Sequence, residues 1–476
     1  MMLVVNQDND NYFKYPQEYM TEESLCRFVD FYAENNVSHI FFCACGQRTS
    51  FRSNVWDAIW DPQKDGSISD DIWAQNCLAL YNKGIDPYSV WIRRCREKGI
   101  SPFISVRLND VHHADNPDNF RSTSFWREHP ELHRVPFGKS RRWADHAFDF
   151  SKQAAYEYAL AIVREVIERY DADGYEMDWM RWPACLTPGK ELEQSPILVE
   201  FMKEVSRIIS DAAARRQHPI TLAVRVPPTP EIAVSRGFDV KGFVEEAGVK
   251  IVTVSPFFDS SDPDLSSKSW RDYLGSAADK VTLLPAIDDG SSQGAGLPRI
   301  SNTAAVLRGW ADTMLADGFD GLYFFNFSYI TGRENEHPFG ISDPAEKIFR
   351  SINTLQQEEK RYVISFRDMA GTDNMLIQLP ANLPAKLKFR NGLAPKHGKI
   401  SVELEFRLEK NPPYWEKNSP PKVEKVLFNG DDCTFSCHDS SCCIEVKEDS
   451  FRDHRNTLEV FGTNSLQIIN AALVVK

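Results

Sequence analysis

The sequence predicts a (β/α)8 TIM barrel followed by an all-β, jelly-roll-like sandwich. Three observations carry that expectation. Apolar runs of strand length alternate with segments of helical period from Leu3 to about Ile352. Such alternation means a parallel sheet, and eight units within residues 1–356 fit a closed barrel enlarged by loops. Beyond that point the helical period stops, and short apolar strands separated by turn residues fill 357–476, which suits a sandwich. An open doubly wound sheet would call for a glycine-rich phosphate turn after the first strand, and Asn6 to Asn11 contains no glycine.

Taken in order, Leu3-Val4-Val5-Asn6 is the first strand. Thr21 is placed to cap a helix with Glu22 and Glu23 in its first turn, and Leu25, Phe28, Val29 and Tyr32 recur at helical spacing. His39 to Cys45 is apolar on both faces, as a strand buried on both sides must be. A loop with a helix near Ile72 to Tyr81 follows; then Asp86-Pro87 starts a helix and Gly99 ends it. Ile100 to Leu108 is strand three. Asn109 to Phe150 has no helical period and is rich in histidine, arginine and aromatics, the mark of a functional loop. Ser151 is expected to cap a helix ending at Tyr170. Strand four is Asp173 to Trp179, a helix spans Pro196 to Arg216, and strand five is Ile220 to Val226. Val240 to Ala247 is a short helix, Val249 to Ser255 strand six, and Trp270 to Ala278 a helix. Val281 to Ile287 is strand seven, Asn302 to Asp317 a helix, Phe319 to Phe327 strand eight, and Asp343-Pro344 opens a last helix. The second unit is expected to hold strands at Tyr362–Ile364, Met375–Ile377, Leu387–Phe389, Ile400–Phe406, Val423–Phe428, Cys443–Val446, Leu458–Phe461 and Leu466–Val475.

Of the 476 residues, 42% are hydrophobic and 26% charged, as in a soluble globular protein. The net charge of -13 argues against nucleic acid or an anionic membrane as a general partner. Met1 to Asp10 has no basic region followed by a long apolar run, and no later stretch is long enough to span a bilayer. The expectation is a cytoplasmic protein, or a secreted or periplasmic one whose leader is absent from this sequence. The ten cysteines lack CxxC spacing, so they are expected to be reduced rather than paired or metal-bound.

Sites in such barrels lie at the C-terminal ends of the strands, and polar residues gather there. Strand one ends at Asn6 and Asp8, strand two near Gln47 and Arg48. Strand three ends with Arg107, Asn109, Asp110, His112 and His113, and strand four with Glu176, Asp178 and Arg181. Strand five offers Arg225, strand six Asp259, strand seven Asp288 and Asp289, strand eight Asn326 and Tyr329. Glu176 and Asp178 share one strand face, with Glu176 two residues deeper. Two carboxyl groups from different strands would suit cleavage of a glycosidic bond, one protonating the leaving oxygen and the other attacking or activating water. Asp178 is the first carboxylate on this reading and Glu176 its support. Asp259 or Asp288 is the second, with Asp110 behind them. Trp179, Trp182, Trp143, Trp126 and Phe257 could wall a sugar pocket. Arg107, Arg181 and Arg225 would either bind an anionic substrate or hold the site's own carboxylates. His112 and His113 are adjacent rather than spaced as HxH or HExxH, so they are candidate substrate donors and no metal or cofactor is expected.

The run Phe148-Asp149-Phe150-Ser151, the helix end Arg169-Tyr170-Asp171-Ala172-Asp173-Gly174, then Glu176-Met177-Asp178 and Arg181-Trp182-Pro183, resembles the glycoside-hydrolase-like family 10 barrels. The resemblance implies a TIM barrel, an acidic residue at Asp178 and a carbohydrate substrate. The chain departs from the family pattern at Glu176, where a histidine is usual, and at Trp182. The expected function is therefore a glycosidase acting on an oligo- or polysaccharide, with an anionic glycan among the candidates. Two alternatives stand beside it: a carbohydrate-binding barrel without catalysis, and a polysaccharide lyase using His112 or His113 with Tyr329.

Overall fold

The structure is a computed structural model that describes residues 1–136, 139, 143–256, 260–261, 263–292, 299–327, 358–365, 381–393, 395, 398–407, 422–463 and 466–476. Eight parallel strands close into a barrel: β1 Met2–Gln7, β2 His39–Cys45, β3 Ser101–Arg107, β4 Gly174–Asp178, β5 Thr221–Val226, β6 Ile251–Val254, β7 Thr282–Asp288 and β8 Gly321–Phe325. The hydrogen-bonded order is β1-β8-β7-β6-β5-β4-β3-β2, closing between β2 and β1. Helices α1 Glu22–Ala33, α2 Ile72–Asn82, α3 Pro87–Lys98, α4 Ser124–Glu128, α5 Gln153–Arg169, α6 Glu191–Arg216, α7 Pro230–Ser235, α8 Val240–Glu245, α9 Ser267–Leu274 and α10 Ala304–Ala316 connect these strands.

Alternation along the strands builds two cores. Val5, Phe42, Ile104, Tyr175, Met177, Val224, Val252 and Phe324 pack outward against the helices. Val4, Phe41, Phe103, Ala223, Ile251, Leu284, Ala286, Tyr323 and Phe325 fill the barrel. The interior rises in levels set by the strand register. Phe103, Gly174 and Thr221 are neighbours at the bottom; Ser105, Glu176 and Ala223 form the middle; Arg107, Asp178 and Arg225 form the top. The Phe103 ring stacks on Phe41 at 4.4 Å and occupies the space a Cβ at position 174 would need, so only glycine fits there.

Local chemistry explains the helix starts. Thr21 accepts from the Ser24 N–H, and Asp86 accepts from Tyr88 and Ser89 ahead of Pro87. Gly99 ends α3 in the left-handed region. Ser151 does not cap α5. Its N–H and hydroxyl both donate to Asp149, and the helix starts after Lys152 without a side-chain cap. Helix α6 starts at Glu191, five residues before the expected Pro196, which sits inside it. The 109–150 segment contains α4 and short 3-10 turns, tied by Trp126 Nε1 to the His146 carbonyl. The expected helix from Asp343 and the strand at Met375–Ile377 lie outside the described residues.

The C-terminal sheets are antiparallel and share one apolar core, as a β-sandwich does. One sheet runs 360–364, 467–475, 400–407, 441–446 and 434–438, with 381–382 pairing beside 467–475; the other runs 385–390, 455–462, 423–428 and 431–432. The 434–438 strand was not legible in sequence because only its alternate residues are half-buried. The reduced-thiol expectation needs one correction: Cys437 and Cys442, in paired strands 434–438 and 441–446, form a disulfide. Sequence spacing could not show it, because strand pairing is what sets the two sulfurs side by side. The sandwich grips α10 of the barrel, where Asp312 accepts from Tyr362 Oη at 2.8 Å and pairs with Lys360 at 3.3 Å. Arg390 reaches Asp317 at the end of the same helix.

Candidate active site

The top level of the barrel is a chain of charge. Arg225 donates to Asp178 through Nε at 3.0 Å and Nη2 at 2.9 Å, a bidentate pair at a fully buried position. The Met180 N–H also donates to Asp178, at 3.0 Å. Arg225 lies 3.9 Å over the Phe325 ring, which covers it from the barrel interior. Arg107 approaches Asp178 at 3.8 Å, Asp110 at 3.6 Å and Asp8 at 2.9 Å, so one guanidinium serves three carboxylates. Burial alone would raise the Asp8 carboxyl, but Arg107 and Arg181 outweigh it and hold it at about 2. Asp110 is likewise held below the usual range, against burial, by His112, Arg107 and Arg181.

One level down, Glu176 is fully buried. One oxygen accepts from Ser105 Oγ at 2.7 Å and Tyr323 Oη at 3.0 Å; the other has no partner among the described residues. Burial, reinforced by the Asp178 charge, pushes its carboxyl up to about 7. Arg225 does not donate to it, because that guanidinium is committed to Asp178 and to Ser255 Oγ at 3.0 Å. Glu176 is thus poised between neutral and charged forms directly beneath a fixed carboxylate.

Above this lies a cavity of about 350 Å³ at the strand mouths. Five aspartates line it: Asp8 and Asp10 after β1, Asp110 after β3, and Asp288 and Asp289 at β7. Five basic side chains face them: Lys14, Arg48, Arg107, Arg121 and Arg181. Trp73, Gln47, His112 and Asn326 also contribute to the wall. His112 donates from Nδ1 to Asp110 and receives Arg181 Nη2 on Nε2 at 2.8 Å. Burial first, then the neighbouring arginines, lower its pKa, so the neutral tautomer that this network requires is the stable one.

The structure thus brings Asp288, Arg107, Arg181, His112 and Asn326 to one cavity. Asp178, Glu176 and Arg225 lie beneath it, Asp178 behind Arg107 rather than on the wall. Asn109 staples loops, bonding both the N–H and carbonyl of Phe148 and the Ala184 carbonyl. His113 is exposed, with a left-handed backbone at φ 57°. Trp179 faces the helices among Phe150, Phe201, Phe238 and Phe243, because alternation turns it away from Asp178. Trp182 does reach the mouth, edge-on to His112. Asp259, Phe257 and Tyr329 lie outside the described residues. Sequence reasoning missed Ser105, Tyr323, Trp73 and Arg121. Ser105 was recoverable by counting back two from Arg107 on the inward face, whereas Trp73 and Arg121 come from loops with no such register.

No family model matches the chain, and no curated protein does. Solved structures similar to it include a noncanonic maltogenic alpha-amylase from Thermotoga neapolitana, 13% identical, with a TM-score of 0.40 over 97% of this chain and 99% of that one. A GH36 alpha-galactosidase from Geobacillus stearothermophilus in complex with raffinose is 12% identical with a TM-score of 0.39, covering 97% of this chain and 55% of its own. An endo-1,4-beta-mannanase from Rhizomucor miehei is 10% identical with a TM-score of 0.44, over 75% of this chain and 95% of that one. The chain spans about half the length of the alpha-galactosidase. Among the described residues no helix is long and apolar enough to cross a membrane, and no cluster of His, Cys, Asp or Glu could hold a metal ion.

Proposed function

We propose that the chain is a glycoside hydrolase that takes a sugar into the strand-mouth cavity and cleaves its glycosidic bond with two carboxyl groups. The observation that carries this reading is the delivery of aspartates from separate strands to one concave polar cavity, over a carboxylate fixed by arginine. Asp178 is the first carboxylate. Arg225 aims it, and Arg107 stands between it and the cavity; movement of that guanidinium toward Asp8 and Asp110 would open the way to a substrate. Asp288 is the second carboxylate in reach of the cavity, with Asp259 the other choice. One group protonates the glycosidic oxygen while the other attacks the anomeric carbon or activates water.

The test is glycan release from a panel, with the product anomer followed by NMR. Asp178→Asn and Asp288→Asn should each lower turnover by at least about a hundredfold, with thermal melting used to confirm that each variant is folded under the assay conditions. Unchanged turnover in Asp178→Asn would sink the assignment. A second reading, a barrel that binds saccharide without cleaving it, is favoured by one fact: both oxygens of Asp178 are engaged by Arg225 and the residue is 1% exposed. It predicts saccharide binding with no released product from the unaltered chain.

A further inference from the structure

The cavity holds three polar side chains with unspent hydrogen-bonding capacity. Arg107 is 2% exposed and lines the cavity, and its Nη2 has no partner among the described residues. Gln47, on the same wall, has neither its amide nitrogen nor its oxygen bonded among the described residues, although both atoms are out of solvent. Asn326 lines the cavity with its Oδ1 buried and unbonded among the described residues, and its backbone is left-handed at φ 58°. Buried polar atoms left without partners cost stability, so a site that keeps several on one wall is built for a ligand that completes them. The set offers donors and acceptors together, which matches hydroxyl groups, each of which both donates and accepts.

The charges around that set decide the ligand's own charge. The Arg107 guanidinium is shared among Asp8, Asp110 and Asp178, so an anion approaching Nη2 would compete with the protein's own carboxylates for it. At the rim, Lys14 and Arg121 both pair with Asp10, at 2.7 Å and 3.7 Å. Among the described lining residues five aspartates face five basic side chains, which leaves no positive surplus for a substrate carboxylate. The volume, about 350 Å³, is at the small end of the range for ligand pockets.

From these facts we infer that the cavity binds a neutral, unsubstituted hexopyranosyl unit, with its hydroxyls on Gln47, Arg107 and Asn326, and discriminates against uronic acids. The inference rests on the hydrolase reading for the site's purpose but concerns binding alone. Of the two roles open to Arg107, Arg181 and Arg225, it takes the one in which they hold the site's own carboxylates.

The test uses the full chain with methyl hexopyranosides of both anomers and the matching methyl hexuronides, binding being followed by saturation-transfer NMR and calorimetry. Neutral glycosides should bind, and the uronides about tenfold or more weakly. Gln47→Ala should weaken the neutral glycosides about tenfold, the worth of one hydrogen-bonding group. Asn326→Gly, chosen because glycine tolerates the left-handed backbone, should do the same. Thermal melting of each variant confirms folding. Equal or tighter uronide binding, no binding by any neutral glycoside, or full binding by both folded variants would overturn the inference. Neutral binding without cleavage would leave it standing and remove the hydrolase reading. Cleavage confined to uronide-containing glycans would do the reverse.

Discussion

Replacing Glu176 by glutamine isolates the energetics of the buried carboxyl beneath Asp178. Glutamine keeps the shape and the acceptor oxygen facing Ser105 and Tyr323, but cannot ionise. The native carboxyl is raised from 4.5 to about 7 by burial and the Asp178 charge. Below pH 4.5 it is protonated in both the folded and unfolded chains and adds no pH dependence. Between 4.5 and about 7 the folded chain retains a proton that the unfolded chain releases, so stability falls as pH rises. At 1.36 kcal/mol per tenfold change, that interval amounts to about 3 kcal/mol lost by pH 8. Other titrating groups, such as His39 and His133, have pKa values lowered chiefly by burial and add their own slopes, but these cancel between native and Glu176→Gln chains. The assay is urea unfolding followed by tryptophan fluorescence at pH 5, 6, 7 and 8. The stability difference between the two chains should swing by about 2.5 kcal/mol in favour of glutamine between pH 5 and pH 8. A difference that stays constant across that range would refute the protonated-Glu176 account.

Two further substitutions probe the same layers. Arg225→Met removes the bidentate partner of a buried carboxylate and should cost about 3–5 kcal/mol, read as a lowered urea midpoint; a loss below about 1 kcal/mol would show that Asp178 does not need the pair. Gly174→Ala drives a methyl into the Phe103 ring and should cost at least about 1–3 kcal/mol; thermal unfolding that matches the native chain would show that the lower barrel can yield.

The positions of the site's residues were unevenly legible. Strand period and the rule that barrel sites lie at strand ends brought Arg107, Asp110, His112, Arg181, Asp288 and Asn326 to one mouth without any coordinates. The inward pairing of Glu176 with Asp178, and their difference in depth, followed from the two-residue period alone. The same period, applied one residue further, would have turned Trp179 toward the helices, where Phe150 and Phe201 enclose it. What period could not supply is the partner across a strand boundary. That Arg225 rather than Arg181 clamps Asp178 is a matter of register between β4 and β5, and register between strands separated by a long helix leaves no local trace.

The sequence by itself therefore determined the barrel, the sandwich, the helix caps at Thr21 and Asp86, and the highly charged character of the mouth. Each of these depends on neighbours a few residues apart, through hydrophobic period or local hydrogen bonds. Only the tertiary structure decided which arginine serves which aspartate, that Ser105 and Tyr323 hold Glu176, that Cys437 meets Cys442, and that Gln47 and Asn326 keep unbonded groups in the cavity. These depend on contacts made when distant strands and loops meet, where a change of one residue in register would exchange every partner.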